Sequence, residues 1–153
     1  MAIDIIDEKL LEVLQENARI SISELSKRIN LSLSAVSERV KKLEASGVIT
    51  QYTTILNPFA MNQNLLSVVM LSVTGDPKMC EFNRYVTSCP SIMSCYRVTG
   101  TYDFIATVCS ENQTALQTIL DDIKKLRGVA IVHSMVLLDA QKVKFSVPPK
   151  ASK

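Results

Sequence analysis

Two short stretches of this chain carry side chains whose types and spacing suit chemistry. In the first, SLSAVSERVKK from Ser32 to Lys42, hydroxyls, a carboxylate and cations recur at helical steps. At 100° per residue, Ser34, Ser37, Glu38, Lys41 and Lys42 share a face pointing away from Val36, Val40 and Leu43, with Arg39 on the flank and Ser32 at the start. Such a face can bond phosphates and the base edges of a nucleic-acid groove without any reactive nucleophile. The second stretch is Gly100-Thr101-Tyr102-Asp103. Glycine permits close backbone approach, Asp103 can accept from an ammonium group, and nearby backbone N–H groups can hold a carboxylate. An α-amino acid presents both groups. On spacing alone the plainer reading is a hairpin turn in which Asp103 satisfies local amides.

Other chemistry finds little material. Cys80, Cys89, Cys95 and Cys109 lack any C-x-x-C spacing, and His133 is the one histidine of the chain. No metal site, cofactor or catalytic group is expected, and the cysteines read as buried or half-buried thiols in a reducing compartment. His133 falls in a strand pattern with no second histidine or carboxylate cluster beside it.

The elements that must position the first stretch are helices. Ile6, Leu10, Val13 and Leu14 form an apolar stripe from about Asp4 to Glu16. Ser21 and Glu24 have capping-box spacing, Ile22, Leu25 and Ile29 continue at helical steps, and Asn30 is a tolerable left-handed stop. Ser32 caps a third helix from Leu33 to Ala45, closed by Gly47. Beyond it, Val48, Ile49 and Tyr52 to Leu56 predict a two-stranded wing ending at Asn57-Pro58. Three helices, a tight turn and a wing make a winged helix-turn-helix.

The second half changes rhythm. Leu65 to Thr74 predicts a strand, and Gly75-Asp76-Pro77 opens a helix reaching about Ser88. Ile92 to Thr99 and Phe104 to Cys109 predict two further strands flanking the Gly100–Asp103 turn. Asn112 caps a helix with Ala115, Leu116, Ile119, Leu120 and Ile123 on its buried side, Gly128 stops it, and Val129 to Leu138 makes the last strand. The order βαββαβ is that of a ferredoxin-like sandwich, so the fold class is α+β. Leu66, Val68, Met70 and Val108 add apolar surface beyond what two helices can bury, which predicts pairing of sheets between subunits.

Composition fits a folded chain long enough for one large or two small domains, with 47% hydrophobic and 21% charged residues in 153. No apolar run approaches the ~20 residues of a membrane helix, and the acidic start is unlike a secretory signal, so a cytoplasmic protein is expected. Charge adds a constraint: up to Pro58 there are seven Lys and Arg against eight acids. Only the local face of the third helix, with Lys27 and Arg28 nearby, can supply phosphate contacts. A salt slope of about −3 per subunit follows if three or four cations engage.

The pieces IDEKLLEVLQENARIS, ELSKRINLS, SERVKKLEASGVI and YTTILNP together resemble the Lrp/AsnC, or feast/famine, family of transcription regulators over nearly the whole chain. Many members carry proline just after the serine capping the recognition helix; Leu33 stands there in this chain. The resemblance implies a DNA-reading head at residues 1–58, a linker at 59–64, a ligand-sensing and oligomerisation domain at 65–147 and a flexible tail at 148–153. It implies double-stranded DNA as partner, and dimers assembling to tetramers or octamers. It also implies a small effector, often an amino acid, bound at G-x-[FY]-D, matched by Gly100, Tyr102 and Asp103, with Ser134, Met135, Val136 and Leu137 as a wall. Two other readings are an architectural DNA-coating protein and a haem-precursor decarboxylase on the same fold. For the latter the strand face offers little beyond Arg97 and His133. Lys142, Lys144, Lys150 and Lys153 offer a weaker set of auxiliary DNA contacts.

Overall fold

The computed structural model describes residues 2–74 and 81–151. The expected helix entry at Gly75-Asp76-Pro77, Cys80 and Lys153 lie outside the described residues. Chain packing divides into two units, Met1–Thr54 with Lys142–Lys153, and Ile55–Gln141.

The first unit is a three-helix head. Helix α1 (Ile5–Glu16) starts at a complete capping box: Asp7 N–H donates to Asp4 Oδ1 at 2.8 Å and Asp4 N–H donates to Asp7 Oδ2 at 3.2 Å. Helix α2 (Ile22–Ile29) is capped by Ser21, whose hydroxyl accepts from Glu24 N–H at 3.1 Å. The box expected there is only half made, because the Glu24 carboxylate turns to Arg28 one turn on, at 3.6 Å. Asn30 ends α2 in the left-handed region with φ 58°. Ser32 then caps α3 (Leu33–Ala45), accepting from Ala35 N–H at 3.2 Å. Leu10, Leu11, Leu25, Val36, Val40 and Leu43 meet in one core. Of the residues read as apolar stripes, Leu10, Leu25, Val36, Val40 and Leu43 are buried and Ile6, Val13, Leu14 and Ile29 half-buried, whereas Ile22, in the first turn of α2, is exposed.

The expected wing is not a β-ladder in this chain: residues 50–57 belong to no strand. Val48 and Ile49 N–H groups both donate to Leu43 O, at the end of α3, and Tyr52, Ile55 and Leu56 are exposed. No Gly or Asn between Ile49 and Tyr52 supplies the positive φ that a tight hairpin requires. The chain's end also departs from the sequence division. From Lys142 onward it groups with the head, where the Gln15 amide donates to Ser146 Oγ at 2.8 Å and Val147 O at 2.7 Å.

The second unit is a four-stranded antiparallel sheet in the order β2-β3-β1-β4, formed by β1 (Leu65–Val73), β2 (Ile92–Arg97), β3 (Phe104–Ser110) and β4 (Val129–Val136). Helices α4 (Glu81–Ser88) and α5 (Gln113–Lys125) cover one face. That face buries Val69, Leu71, Phe104 and Val108 against Phe82, Leu116, Ile119, Leu120 and Ile123. Phe82 and Phe104 rings meet 4.8 Å apart. Gly128, at φ +85°, has no room for a Cβ, which would lie 2.9 Å from Thr74 O.

Strand alternation leaves Leu66, Val68, Met70 and Ile105 half-buried on the opposite face, joined by exposed Met135 and Leu137. Val108 corrects the sequence expectation. It pairs with Ser67, is fully buried and belongs to the helix-covered face.

Candidate functional site

In the head, Ser34, Glu38, Lys41 and Lys42 are exposed along α3, Ser37 is half-buried, and Leu33 opens the helix exposed. Ser32 Oγ, which accepts the capping bond from Ala35 N–H, also lies 3.2 Å from Ser34 Oγ, so the two hydroxyls are hydrogen-bonded to each other. Neither Lys41 nor Lys42 forms an ion pair among the described residues. Arg28 is held by Glu16 at 3.7 Å and Glu24 at 3.6 Å, both exposed pairs of small energetic weight.

Arg39 is placed differently from the lysines. Its Nη1 donates to Asp4 Oδ2 at 2.7 Å and to Asp7 Oδ1 at 2.6 Å. The Asp7 side chain is only 8% exposed. The backbone N–H of Asp7 and then the Arg39 guanidinium hold the Asp4 carboxyl below its ordinary range, while the two carboxylates raise Arg39. The sequence set this residue beside the DNA-facing side chains; the structure ties it to the start of α1.

The second stretch sits at the β2–β3 connection. Gly100 has φ +117°, a conformation that side chains rarely adopt, although open space surrounds it. Asp103 performs the local task that spacing alone suggested. Its N–H donates to Leu71 O at 2.8 Å, and its Oδ2 accepts from Val73 N–H at 2.8 Å. The side chain continues the β1–β3 ladder past its last pair, Leu71 with Phe104. Oδ1 has no partner among the described residues, so the carboxylate is positioned with one oxygen to spare. Thr101 O accepts from Ser72 Oγ at 3.2 Å. Tyr102 OH lies 2.6 Å from His133 Nδ1, with the rings edge-on and 5.5 Å apart.

The expected β4 wall splits in two. Ser134 pairs with Val69 and Val136 with Ser67, so that both, though exposed themselves, lie in register with fully buried residues of the helix-covered side, whereas Met135 pairs with Val68 on the open side. Leu137 follows the same alternation and anchors its N–H on Leu66 O at 2.8 Å. Successive side chains along a strand point to opposite faces, so these four do not share one face of the sheet. From β4 and the residue after it, His133, Met135 and Leu137 lie on the open face that Tyr102 joins through His133. Sequence reasoning passed over His133, and two-residue alternation back from Met135 was the signal that places it there.

Among the described residues no group of three or more His, Cys, Asp and Glu side chains can hold a metal ion. Burial pushes the Cys95 and Cys109 thiols up, away from the reactive thiolate. No helix among the described residues is long and apolar enough to cross a membrane.

Residues 3–50 match the family model described as winged helix-turn-helix DNA-binding, and residues 67–147 match that of the Lrp/AsnC ligand binding domain. The HTH-type transcriptional regulator FL11 of Pyrococcus furiosus is 32% identical, over 97% of both chains. The leucine-responsive regulatory protein of Escherichia coli is 34% identical, over 92% of this chain and 87% of its own. Among solved structures, a transcriptional regulator from Neisseria meningitidis in complex with L-Met superposes with a TM-score of 0.86 at 31% identity, covering 95% of this chain and 96% of that one. A feast or famine regulatory protein from M. tuberculosis complexed with L-methionine gives 0.87 at 28% identity, covering 97% and 100%.

Proposed function

This chain belongs to the Lrp/AsnC family of transcription regulators, and from that premise we propose that it binds double-stranded DNA sequence-specifically, in response to a small α-amino acid held at the Gly100–Asp103 turn. The observation that carries the effector reading is the Asp103 carboxylate, fixed through Oδ2 with Oδ1 left over, on the rim of a face bearing Tyr102 and His133. An ammonium group is the natural partner for that oxygen. L-methionine in two of the similar structures supports an amino acid as the class. In this reading Gly100, Thr101, Tyr102 and Asp103 form the site, with His133, Met135 and Leu137 as its wall.

DNA reading falls to Ser34, Ser37, Glu38, Lys41 and Lys42 on α3, with Ser32 fixing its start. The open sheet face, with Leu66, Val68, Met70, Ile105 and Met135, is apolar enough to pair two subunits, and dimers then assemble further. Pairing supplies two heads for two half-sites, which a near-neutral head needs. The effector acts by linkage: it shifts assembly or head spacing by no more than its differential affinity for the two states. Its relatives are named transcriptional regulators, and the function needs no catalysis. Such a regulator acts in the cytoplasm, where the DNA is.

The DNA half of the proposal is tested by titrating a labelled mixed-sequence duplex of ~40 base pairs with the wild type and the Lys41→Ala/Lys42→Ala variant at several salt concentrations. The variant should bind about tenfold more weakly at low salt, with a salt slope shallower by about 1 to 2 per subunit. Unchanged affinity and slope would remove α3 from the interface.

A further inference from the structure

We propose that Asp4 and Asp7 withdraw Arg39 from the cations that α3 offers to DNA, and so hold down the head's affinity for DNA of arbitrary sequence. This rests on the reading of α3 as the groove-facing helix. The guanidinium spends both hydrogens of Nη1 on the two carboxylates, at 2.7 and 2.6 Å. Those carboxylates do not depend on Arg39 for their positions. The reciprocal capping bonds of α1 fix them, with Asp4 Oδ1 accepting from Asp7 N–H and Asp7 Oδ2 from Asp4 N–H. The positive end of the α1 dipole favours both charges.

Local charge points the same way. The surface depression at this spot is lined by Asp4, Asp7, Glu38, Arg39 and Lys42 together with small residues, three acids against two bases. A phosphate approaching Arg39 there meets net negative charge. Turning the guanidinium outward would also strand the Asp7 carboxylate, whose side chain is 8% exposed, and an unpaired buried charge costs more than one exposed phosphate contact returns. Lys41 and Lys42 carry no such restraint. Every cation presented to phosphate strengthens binding to all sequences alike, whereas base contacts discriminate. Tying up one of three cations on α3 therefore trades indiscriminate affinity for selectivity. Arg39 is a positioning residue in this scheme, joining α3 to the start of α1.

Isosteric variants of the full-length protein separate the outcomes, with salt slopes measured on the mixed-sequence duplex after circular dichroism has verified folding. In Asp4→Asn/Asp7→Asn the amide oxygens still cap α1, but the charges that hold Arg39 are gone. Its slope should steepen by up to about 1 per subunit, with affinity at low salt rising several-fold. Arg39→Gln should leave the slope at the wild-type value, while Lys41→Ala, as the control, should lose about 1. An Arg39→Gln slope reduced as much as that of Lys41→Ala would overturn the inference, as would a double carboxylate variant with the wild-type slope. If the double variant fails to fold, the Arg39→Gln slope decides alone. If Lys41→Ala also leaves the slope unchanged, the failure lies in assigning α3 to the groove.

Discussion

An Asp103→Asn variant should keep its fold and its DNA binding in the absence of effector, yet lose its response to the amino acid that acts on the wild type. Asparagine retains an oxygen that can accept from Val73 N–H, the bond made by Asp103 Oδ2 at 2.8 Å, so the end of the β1–β3 ladder survives. What disappears is the negative charge facing an ammonium group. Charge-assisted hydrogen bonds are about twice as strong as neutral ones, and losing one costs roughly 1.5–3 kcal/mol, or about 10- to 150-fold in effector affinity. Calorimetric titration of wild type and variant with the active amino acid reads this directly, and a thermal melt verifies the fold. Asp103→Ala is the less informative change. It also strips Val73 N–H of its acceptor, at about 1–3 kcal/mol, and so mixes a folding defect with a binding one. Equal effector affinity in Asp103→Asn would move the site away from this turn.

The second large effect is expected from Leu43→Ala. Leu43 lies on the inward side of α3 with 0% exposure, packed in the core that holds Leu10, Leu25 and Val36. Truncating such a leucine costs about 2–5 kcal/mol through lost transfer energy and the cavity left behind. A head of roughly fifty residues has little more stability than that to lose. DNA binding should therefore vanish at every salt concentration, while the sheet unit, whose core is formed by different residues, keeps its protection. Hydrogen exchange on the full chain separates the units, with amides of α1 to α3 exchanging freely and those of β1 and β3 still protected. Undiminished DNA binding with protected head amides would show that this core does not limit the head.

What could be read from the sequence was what the chain decides locally. Ser21, Ser32 and Asn112 cap the helices they precede because a side-chain oxygen three residues upstream of a free N–H is enough. Asn30 takes the left-handed turn for an equally local reason. The order of strands and helices followed from hydrophobic period and turn residues, and with it the ferredoxin-like sheet. What escaped was decided across distance. Glu24 chose Arg28 over its own cap, Arg39 found Asp4 and Asp7 on another helix, and Gln15 reached residues near the chain's end. The wing lacked a partner strand to satisfy it. The β4 wall divides between two faces by a rule visible in the sequence, since alternation alone separates Ser134 and Val136 from Met135 and Leu137. For the turn itself, Gly100 and Asp103 were legible as a motif, but not that one carboxylate oxygen holds the ladder while the other remains open.

In the proposed function one chain joins a DNA-reading helix to an amino-acid-sensing turn. The most direct test is fluorescence anisotropy of a duplex selected by the wild-type protein from a random-sequence pool, titrated alone and with each of the twenty amino acids. At least one amino acid should shift the DNA affinity, and the same titration with Asp103→Asn should show no shift at the same concentration. If none of the twenty moves the affinity of the wild type, or if the variant responds as fully as the wild type, the claim is contradicted.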